Sequence, residues 1–538
     1  MNCTSQQPKS LVSFIVLDPY REKKMPVFGY FIMTFQVPDI LTLFAFSVLM
    51  IVLLKIVLNH EKASSIPNMP PGPWKLPIIG NIHQLLTSAP HQKLRDLAKI
   101  HGPLTRLQLG EVTVIIVSSP KYAKEIMKTH DAIFASRPHS VTSDILSYQS
   151  TGIASAPYGN YWNVVRKMCT VELLGKNRVT SFQSLRKEEL TNLIKMIDSK
   201  KESPVNLTET VLSSIYSIVS RAAFGNKCKD QQEFISLVKE GLAVLGDLFP
   251  SGRWLQLVTG FRPKLERLHE KIDRILENII VEHKETKSDG KEGESAESED
   301  LVDILLKLQD GNDRNQNICL TDNNIKATIQ EIFSAGGEPS AITIDWAMAA
   351  MVKDPRVMKK AQAEVRKVMK MKGRVDESCM NELKYLKVVV KETLRLHPPG
   401  PLLLPRECGE TCEIDGYHIP AKSMVIVNAW AIGRDPNYWS DPERFYPERF
   451  IDSSIDYKGC NFEYIPFGGG RRICPGITFG LANVEMALAL LLYHFDWKLP
   501  NGMRCEELDN TEEFRVTIRR KDDLFLIPLS PPTLVSQI

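Results

Sequence analysis

The stretch from Phe467 to Gly476 reads FGGGRRICPG and combines three consecutive glycines, two arginines and one cysteine. Glycines let the backbone adopt a positive φ and approach a flat ligand closely. Cys474 precedes an apolar segment, 477–492, that predicts a helix, so free N–H groups and the helix dipole would stabilise its thiolate. A thiolate is the axial ligand of an oxygen-splitting haem, and Arg472 can pair with a haem propionate. The residues alone also allow a glycine-rich turn that leads to an ordinary buried thiol.

This string matches the F-x-x-G-x-R-x-C-x-G signature of the cytochrome P-450 superfamily at every fixed position. The chain therefore resembles a haem-thiolate monooxygenase, from about Met33 to Pro528. The resemblance implies haem b as the cofactor, with Cys474 as the axial iron ligand and with Phe467 and Arg472 beside the haem. It also implies the family's fold, which is mainly α-helical with small β-sheets.

A second set of charged residues matches the family away from the cysteine. Glu392 and Arg395 form an E-x-x-R pair, whose spacing puts both side chains on one helix face. Arg449 lies in a downstream P-E-R-F motif. The resemblance implies that these three residues form a buried charge network, which supports the haem pocket and performs no chemistry.

Two less specific matches concern the propionate edge of the haem. Trp162 and Arg166 stand in a W-x-x-x-R pattern, which places both on one face of a helix. Arg406 follows Leu404 and Pro405 in a stretch that resembles another family motif. The resemblance implies that Trp162, Arg166 and Arg406 contact the haem propionates.

The oxygen-activating segment departs from the family pattern. The family's central helix carries A-G-x-[DE]-T, whereas Ala335–Ser340 reads AGGEPS, so the acid is kept as Glu338 but Pro339 replaces the threonine that helps deliver protons. Because proline has no N–H, the carbonyl of Ala335 loses its helical partner, and we expect a kink and a water molecule held near Ala335 and Ser340. Our hypothesis is that Glu338, Pro339 and Ser340 form an alternative relay. The competing interpretation is a simple helix break beside a solvated carboxylate.

A largely helical body must position these side chains. A polar start at Thr321 and Asp322, followed by recurring apolar residues, predicts a helix over 321–352. The E-x-x-R pair falls in a second predicted helix, over about 381–396. Strand-like runs predict small sheets near 104–108, 112–117, 424–429 and 524–528. The charged, glycine- and serine-containing segment 284–300 indicates a surface loop.

The N-terminal region predicts a membrane anchor. Residues 40–54 carry no charge, and with 56–58 they are just long enough to span a bilayer. A cleaved signal peptide is the rival interpretation, but no small-residue cleavage site follows. Our hypothesis is that Met33 is the natural initiator, because basic residues before the anchor would orient the body toward the lumen. We predict an extension that is a gene-model artefact (1–32), an anchor (33–59), a proline-rich hinge (60–73) and a catalytic domain (74–538).

Composition excludes some function classes. A formal net charge of +3 in 538 residues argues against bulk nucleic-acid binding. The ten cysteines are scattered without a C-x-x-C pair, which is typical of a protein that faces the reducing cytosol. Cys408, Cys412 and His418 lie near each other in sequence but lack a fourth ligand for zinc.

The family resemblance also implies an activity and its partners. The activity is O₂- and NADPH-dependent hydroxylation of a small lipophilic substrate. The electron donor is NADPH–cytochrome P-450 reductase, with cytochrome b5 as a candidate second donor. Membrane lipid is a further expected partner. The expected location is the endoplasmic reticulum membrane, with one span and the catalytic domain in the cytosol. Carry-over from the family places the substrate pocket along 136–155, 242–254, the central helix, 402–404 and 514–517.

The substrate prediction rests on a short string. Residues 333–341, FSAGGEPSA, resemble plant microsomal terpenoid hydroxylases, in particular the casbene-type diterpene oxidases of spurge-family plants. A macrocyclic diterpene is therefore the expected substrate. Two alternatives stay open: a haem-thiolate hydroperoxide isomerase or dehydratase that works without O₂, which the missing threonine favours, and a non-catalytic haem sensor.

Overall fold

The structure is a computed structural model that describes residues 46–51, 68–225, 230–245, 260–288, 299–310, 320–373 and 377–531. The chain divides into two units, Met1–Val57 and Leu58–Ile538. In the first unit, residues 46–51 are helical and their large apolar side chains are exposed. This segment is the described part of the predicted anchor. The extension 1–32, the rest of the anchor and residues 60–67 of the hinge lie outside the described residues.

The second unit is mainly helical with small sheets, as predicted. The α-helices of its described part are α1 (Ile82–Leu85), α2 (Pro90–His101), α3 (Pro120–Lys124), α4 (Val141–Leu146), α5 (Asn160–Met168), α6 (Lys176–Ser181), α7 (Gln183–Asp198), α8 (Leu207–Phe224), α9 (Gln231–Leu245), α10 (Phe261–Ser288), α11 (Leu301–Asp310), α12 (Asp322–Lys353), α13 (Pro355–Lys372), α14 (Lys384–Leu396), α15 (Ala429–Ile432) and α16 (Ile477–His494).

The strands of the described ranges are short and form four sheets. They are β1 (Leu104–Leu109), β2 (Val112–Val117), β3 (Val205–Asn206), β4 (Arg406–Glu407), β5 (Cys412–Ile414), β6 (Tyr417–Ile419), β7 (Met424–Val427), β8 (Asp496–Lys498), β9 (Glu512–Phe514), β10 (Ile518–Arg520) and β11 (Phe525–Leu529). The largest sheet has the order β1-β2-β7-β4, with β2 and β7 parallel and the other pairs antiparallel. The remaining sheets are β3-β11-β8, β10-β9 and β5-β6. Each of the four predicted strand regions therefore contains a strand, but the one predicted over 424–429 ends at Val427, and Ala429 already begins α15.

The central helix α12 confirms the predicted element and its cap. Thr321 and Asn324 form a reciprocal capping box in which each side chain binds the other residue's backbone N–H. Such a box satisfies two of the N–H groups that a helix start leaves without partners. The helix then continues without interruption through Pro339 to Lys353, so the interpretation of a helix break at Pro339 is wrong.

The second predicted helix begins later than expected. Residues Glu377–Glu382 form a 3₁₀ turn, and α14 starts at Lys384 after Leu383, whose backbone is non-helical. A single predicted helix over 381–396 is thus divided at Leu383. The E-x-x-R pair remains inside α14, on its buried side.

Helix α16 is almost entirely apolar and lies in the core. Among the described residues, it is the helix that is long and apolar enough to cross a membrane by length and composition. More than half of it is buried inside the body, where it packs against α7, α12, α13 and α14. A helix that is hydrophobic all round suits the core of a large protein. Its N-terminal end follows the cysteine loop, so the core of the body fixes the position of that loop.

Candidate active site

The cysteine loop is closed by its own backbone. The N–H of Cys474 donates to the carbonyl of Phe467 at 3.0 Å, and Gly470–Arg472 form a 3₁₀ turn inside the loop. Gly470 has φ +67°, and a Cβ there would lie 2.1 Å from the carbonyl oxygen of Met127. Glycine is therefore required at position 470 both by backbone angle and by close packing.

The thiol of Cys474 lies just before the N-terminus of α16. Burial raises its pKa, whereas a hydrogen bond from the N–H of Gly476 and the charge of Arg166 act to lower it. The net effect favours the protonated thiol in the protein alone. A bound cation at the sulfur would reverse this preference, because a coordinating thiol loses its proton.

Four arginines are packed together beside this loop: Arg137, Arg166, Arg406 and Arg472. Burial lowers the pKa of all four, and the mutual repulsion of their charges lowers the pKa of Arg137 and Arg472 further, that of Arg472 to about 9. So concentrated a set of cations, of which Arg406 and Arg472 are buried and the other two partly exposed, favours an anionic ligand.

The arginines are held mainly by backbone carbonyl groups. Arg472 donates to the carbonyls of Ala135 at 2.6 Å and Ile153 at 3.3 Å, and also to that of Ala156. Arg406 donates to the carbonyl of Gly469 at 2.8 Å.

Each of the other two arginines joins distant parts of the chain. Arg137 donates to the carbonyls of Ala154 at 3.0 Å and Pro405 at 2.7 Å, while Arg166 donates to that of Ile473. The carboxylates that act on the cluster belong to Asp131 and Glu331.

The predicted propionate contacts therefore lie in one place. The guanidinium carbon of Arg472 lies 4.1 Å from the centre of the Trp162 ring, and that of Arg166 lies 5.9 Å from it. The indole N–H of Trp162 donates to the carbonyl of Ile153 at 2.9 Å. Sequence reasoning missed Arg137, because a single arginine before a proline carries no recognisable spacing.

This donor set fits haem b. Two propionate carboxylates match the guanidinium groups, which form bidentate, charge-assisted hydrogen bonds with such anions. The thiol of Cys474 supplies the soft sulfur ligand of the kind that haem iron takes. Phe467 completes the loop, since its carbonyl closes the turn and its ring packs edge-on against Tyr457 at 5.4 Å.

Two of the three predicted oxygen-site residues on α12, Ser340 and Glu338, have different hydrogen-bond partners. Ser340 is buried and donates its hydroxyl to the carbonyl of Gly336 at 3.1 Å, and a Cβ on Gly480 of α16 would lie 3.5 Å from that hydroxyl. The carboxylate of Glu338 accepts a hydrogen bond from Thr517 at 3.0 Å. The hydroxyl of Ser340 is thus bound to the carbonyl of Gly336, and the water molecule near Ala335 and Ser340 stays a prediction.

The structure brings the predicted charge network together. Glu392 and Arg395 are fully buried and form a bidentate pair at 2.8 and 2.9 Å. The same carboxylate accepts from the Arg449 guanidinium at 3.0 Å and from the N–H of Tyr446 at 2.8 Å. Arg395 also donates to the carbonyl of Gly433 at 2.6 Å, so the network ties α14 to the segment that precedes the cysteine loop.

Comparisons with known proteins agree with this geometry. The model of the family described as Cytochrome P450 matches residues 70–525. The chain is 59% identical to Cytochrome P450 71D11 of Lotus japonicus over 87% of this chain and 96% of that protein. It is 53% identical to desmethyl-deoxy-podophyllotoxin synthase of Sinopodophyllum hexandrum over 90% of this chain and 96% of that protein. It is 51% identical to premnaspirodiene oxygenase of Hyoscyamus muticus over 85% of this chain and 92% of that protein. Among solved structures, a zebra fish cytochrome P450 with abiraterone gives a TM-score of 0.69 at 23% identity, covering 83% of this chain and all of that one.

Proposed function

This chain belongs to the cytochrome P450 family, and from that premise we propose that it hydroxylates a terpenoid, most specifically a macrocyclic diterpene of the casbene type. The family uses haem with a cysteine thiolate ligand, and its monooxygenases receive electrons from NADPH through a reductase. Bound haem supplies the oxygen-activating chemistry. The remaining questions concern what the residues of this chain do around it.

We propose Cys474 as the thiolate ligand, with Phe467 beside the haem. The propionates would be contacted by Trp162, Arg166, Arg406 and Arg472. The observation that carries the proposal is the packing of these arginines and Arg137 beside the cysteine loop. The four arginines carry more positive charge than the carboxylates of Asp131 and Glu331 can neutralise, and haem b brings two further carboxylates.

We assign proton delivery to Glu338, which lies on α12 beside Pro339 and Ser340. Glu338 is partly accessible, and its carboxylate is held by Thr517 of the β9–β10 connection. Proline at 339 supplies no N–H, so the carbonyl of Ala335, whose residue is exposed, remains able to bind a water molecule. A carboxylate beside a bound water is a workable general acid–base pair.

Relatives and the predicted pocket both support a terpenoid substrate. Premnaspirodiene oxygenase carries a terpene name and shares half of its residues with this chain, while a relative at similar identity makes a podophyllotoxin-type product by its name. The segment 333–341 favours the terpenoid reading. Leu402, an apolar residue of the predicted pocket, is buried beside exposed Leu404, which suits a hydrocarbon-like ligand.

We further propose one membrane span within 33–59, in the endoplasmic reticulum, with the catalytic domain in the cytosol. The exposed apolar side chains of residues 46–51 support a lipid-facing helix. Cytochrome b5 is proposed as a second electron donor beside the reductase.

Product analysis tests the function. Yeast would co-express this chain, a plant reductase and a casbene synthase, with parallel strains that make premnaspirodiene or receive a podophyllotoxin-type precursor. The expected result is a casbene-derived product heavier by one oxygen atom and absent from the Cys474→Ala strain. Conversion of another precursor but not of casbene would replace the substrate proposal and keep the monooxygenase.

A hydroperoxide isomerase or dehydratase is the second candidate, because no threonine hydroxyl stands at position 339. Ser340 does not replace it, since its hydroxyl already donates to the helix backbone. Such an enzyme would convert a fatty-acid hydroperoxide without NADPH, O₂ or the reductase. Turnover under those conditions, together with no NADPH consumption on any terpenoid, would favour it over the monooxygenase.

A further inference from the structure

The carboxylate of Glu331 acts on the charges of the arginine cluster, and it also holds a loop beside the site. It stands on α12, one helical turn before Ala335. It accepts hydrogen bonds from the N–H of Ala154 at 2.7 Å and from the hydroxyl of Ser155 at 2.6 Å. Burial raises the pKa of Glu331, and hydrogen bonds from Ser155, Ala154 and Ser147 act to lower it.

The loop is shaped to receive this carboxylate. Gly152 is buried, and a Cβ there would lie 2.1 Å from the carboxyl carbon of Glu331 and 2.2 and 2.4 Å from its oxygens. Real Cβ atoms do not approach so closely, so the carboxylate occupies the space that any side chain at position 152 would need. The glycine at position 152 and the acid at position 331 therefore pack as one unit.

The opposite edge of the same segment faces the arginine cluster. The carbonyl of Ile153 accepts from Trp162 and Arg472, and the carbonyl of Ala154 accepts from Arg137. Residues 152–156 therefore lie between the central helix on one side and the proposed propionate contacts on the other. No local sequence pattern connects these elements.

The preceding part of the loop is strained and anchored separately. Tyr148, Gln149 and Ser150 all have positive φ, of 49°, 60° and 59°. The hydroxyl of Tyr148 donates to Asp273 of α10 at 2.8 Å, and the same carboxylate oxygen accepts from Lys326 of α12 at 2.7 Å. A strained backbone persists only where its surroundings hold it, so the shape of 147–156 depends on these outside contacts.

We propose that Glu331 is a positioning residue that fixes residues 152–156 beside the proposed oxidation site and thereby selects which bulky ligands, and which substrate carbon, are accepted. The proposal rests on the proposed function only for the substrate carbon. The position of the loop and the binding of an inert ligand are independent of any turnover. Glu331 acts through the loop and transfers no proton to the substrate or the oxygen in this role.

The experiment uses the full-length haem-loaded protein. Hydrogen exchange of peptides that cover 147–156 reports the loop, and the dissociation constants of ketoconazole and imidazole report the pocket. In Glu331→Gln, a neutral amide replaces an acceptor of charge-assisted hydrogen bonds, so loop exchange should rise roughly tenfold or more. Ketoconazole should bind several-fold more weakly, while imidazole, which is too small to reach the loop, should bind as before.

Asp345→Asn is the matched control, because Asp345 is another buried carboxylate of α12 and is held by Thr208 instead of the loop. It should leave loop exchange and both dissociation constants unchanged. Gly159→Ala is the control for Gly152→Ala, since a Cβ at position 159 would meet no atom within 4 Å.

Rescue gives the sharper test. Gly152→Ala should reproduce the effects of Glu331→Gln. The double variant Gly152→Ala/Glu331→Asp should restore slow exchange, because the shorter acid makes room for the added methyl group. If Glu331→Gln does not fold, Ser155→Ala removes one donor and should raise exchange in the same peptides.

Unchanged loop exchange in folded Glu331→Gln, or equal weakening of ketoconazole and imidazole, would overturn the proposal. Where a substrate is converted, the site of hydroxylation should shift in Glu331→Gln. Failure to find any converted substrate would count against the proposed function alone, because the exchange and ligand measurements do not depend on it.

Discussion

Replacing Glu392 by glutamine should sharply destabilise the protein without changing the chemistry of its site. The carboxylate of Glu392 accepts hydrogen bonds from Arg395, Arg449 and Tyr446, and neither it nor Arg395 is exposed to solvent. Glutamine keeps the shape of this side chain but removes its charge and places an N–H₂ group against guanidinium donors. Arg395 then carries a buried charge without an anion.

The magnitude follows from the burial of the pair. Removal of one partner of a buried ion pair costs roughly 3–5 kcal/mol, whereas total stabilities lie at about 5–15 kcal/mol. The carbonyl groups that Arg395 also contacts, including that of Gly433, offset part of this loss. We therefore expect about 3 kcal/mol or more, with low yields of haem-loaded protein.

The assay compares the carbon monoxide difference spectrum per unit of protein and the apparent unfolding temperature of the purified enzyme. Lys201→Ala is the control, because Lys201 and Asp198 form an exposed i,i+3 pair, a type worth roughly 0–1 kcal/mol. A Glu392→Gln protein with normal stability and normal haem content would refute the reasoning. Normal stability with lost turnover would instead assign Glu392 to the reaction.

Three further predictions address the helix, a titrating pair and the cysteine loop. Pro339→Thr should leave hydrogen peroxide release per NADPH nearly unchanged if the alternative relay operates, and a large fall in peroxide would show that Pro339 is a handicap. His283 lies 3.0 Å from Asp300; burial opposes its charge, but the hydrogen bond and charge of Asp300 outweigh burial and raise its pKa. Its stabilising contribution is complete below the ordinary pKa of about 6.5 and is lost as pH rises through the higher folded value. The unfolding temperature of the wild type relative to His283→Gln should thus fall as the pH rises above the ordinary pKa of about 6.5, and a constant difference would contradict this. Gly470→Ala should abolish haem incorporation, because its Cβ would lie 2.1 Å from the Met127 carbonyl; a normal carbon monoxide spectrum would show that the loop can shift.

Much of the fold was predictable because its signals are local. The cap at Thr321, the apolar repeat of α12 and the strand-like runs of β1 and β2 lie within short stretches of sequence, and the structure confirms them. The start of α14 was misplaced because the apolar pattern continues through Leu383, where the backbone leaves the helical region. Pattern alone does not reveal such a change of backbone angle.

The charge network was only partly predictable from the sequence. The spacing of Glu392 and Arg395 put them on one helix face, but the attachment of Arg449 from a distant segment came only from resemblance to a family. In the structure, one carboxylate joins both arginines because their other hydrogen-bond partners here are neutral carbonyl groups, and buried charges need an opposite charge nearby.

By itself, the sequence determined the identity of the cysteine loop, since its glycines, arginines and cysteine act over ten consecutive residues. Only the tertiary structure decided that Arg137 joins the arginine cluster and that Glu331 holds residues 152–156. Apart from the hydroxyl of Ser155, their partners are backbone carbonyl and N–H groups, which nearly every residue carries and which therefore leave no mark in the sequence. Long-range folding alone places such groups within hydrogen-bonding distance of a particular side chain.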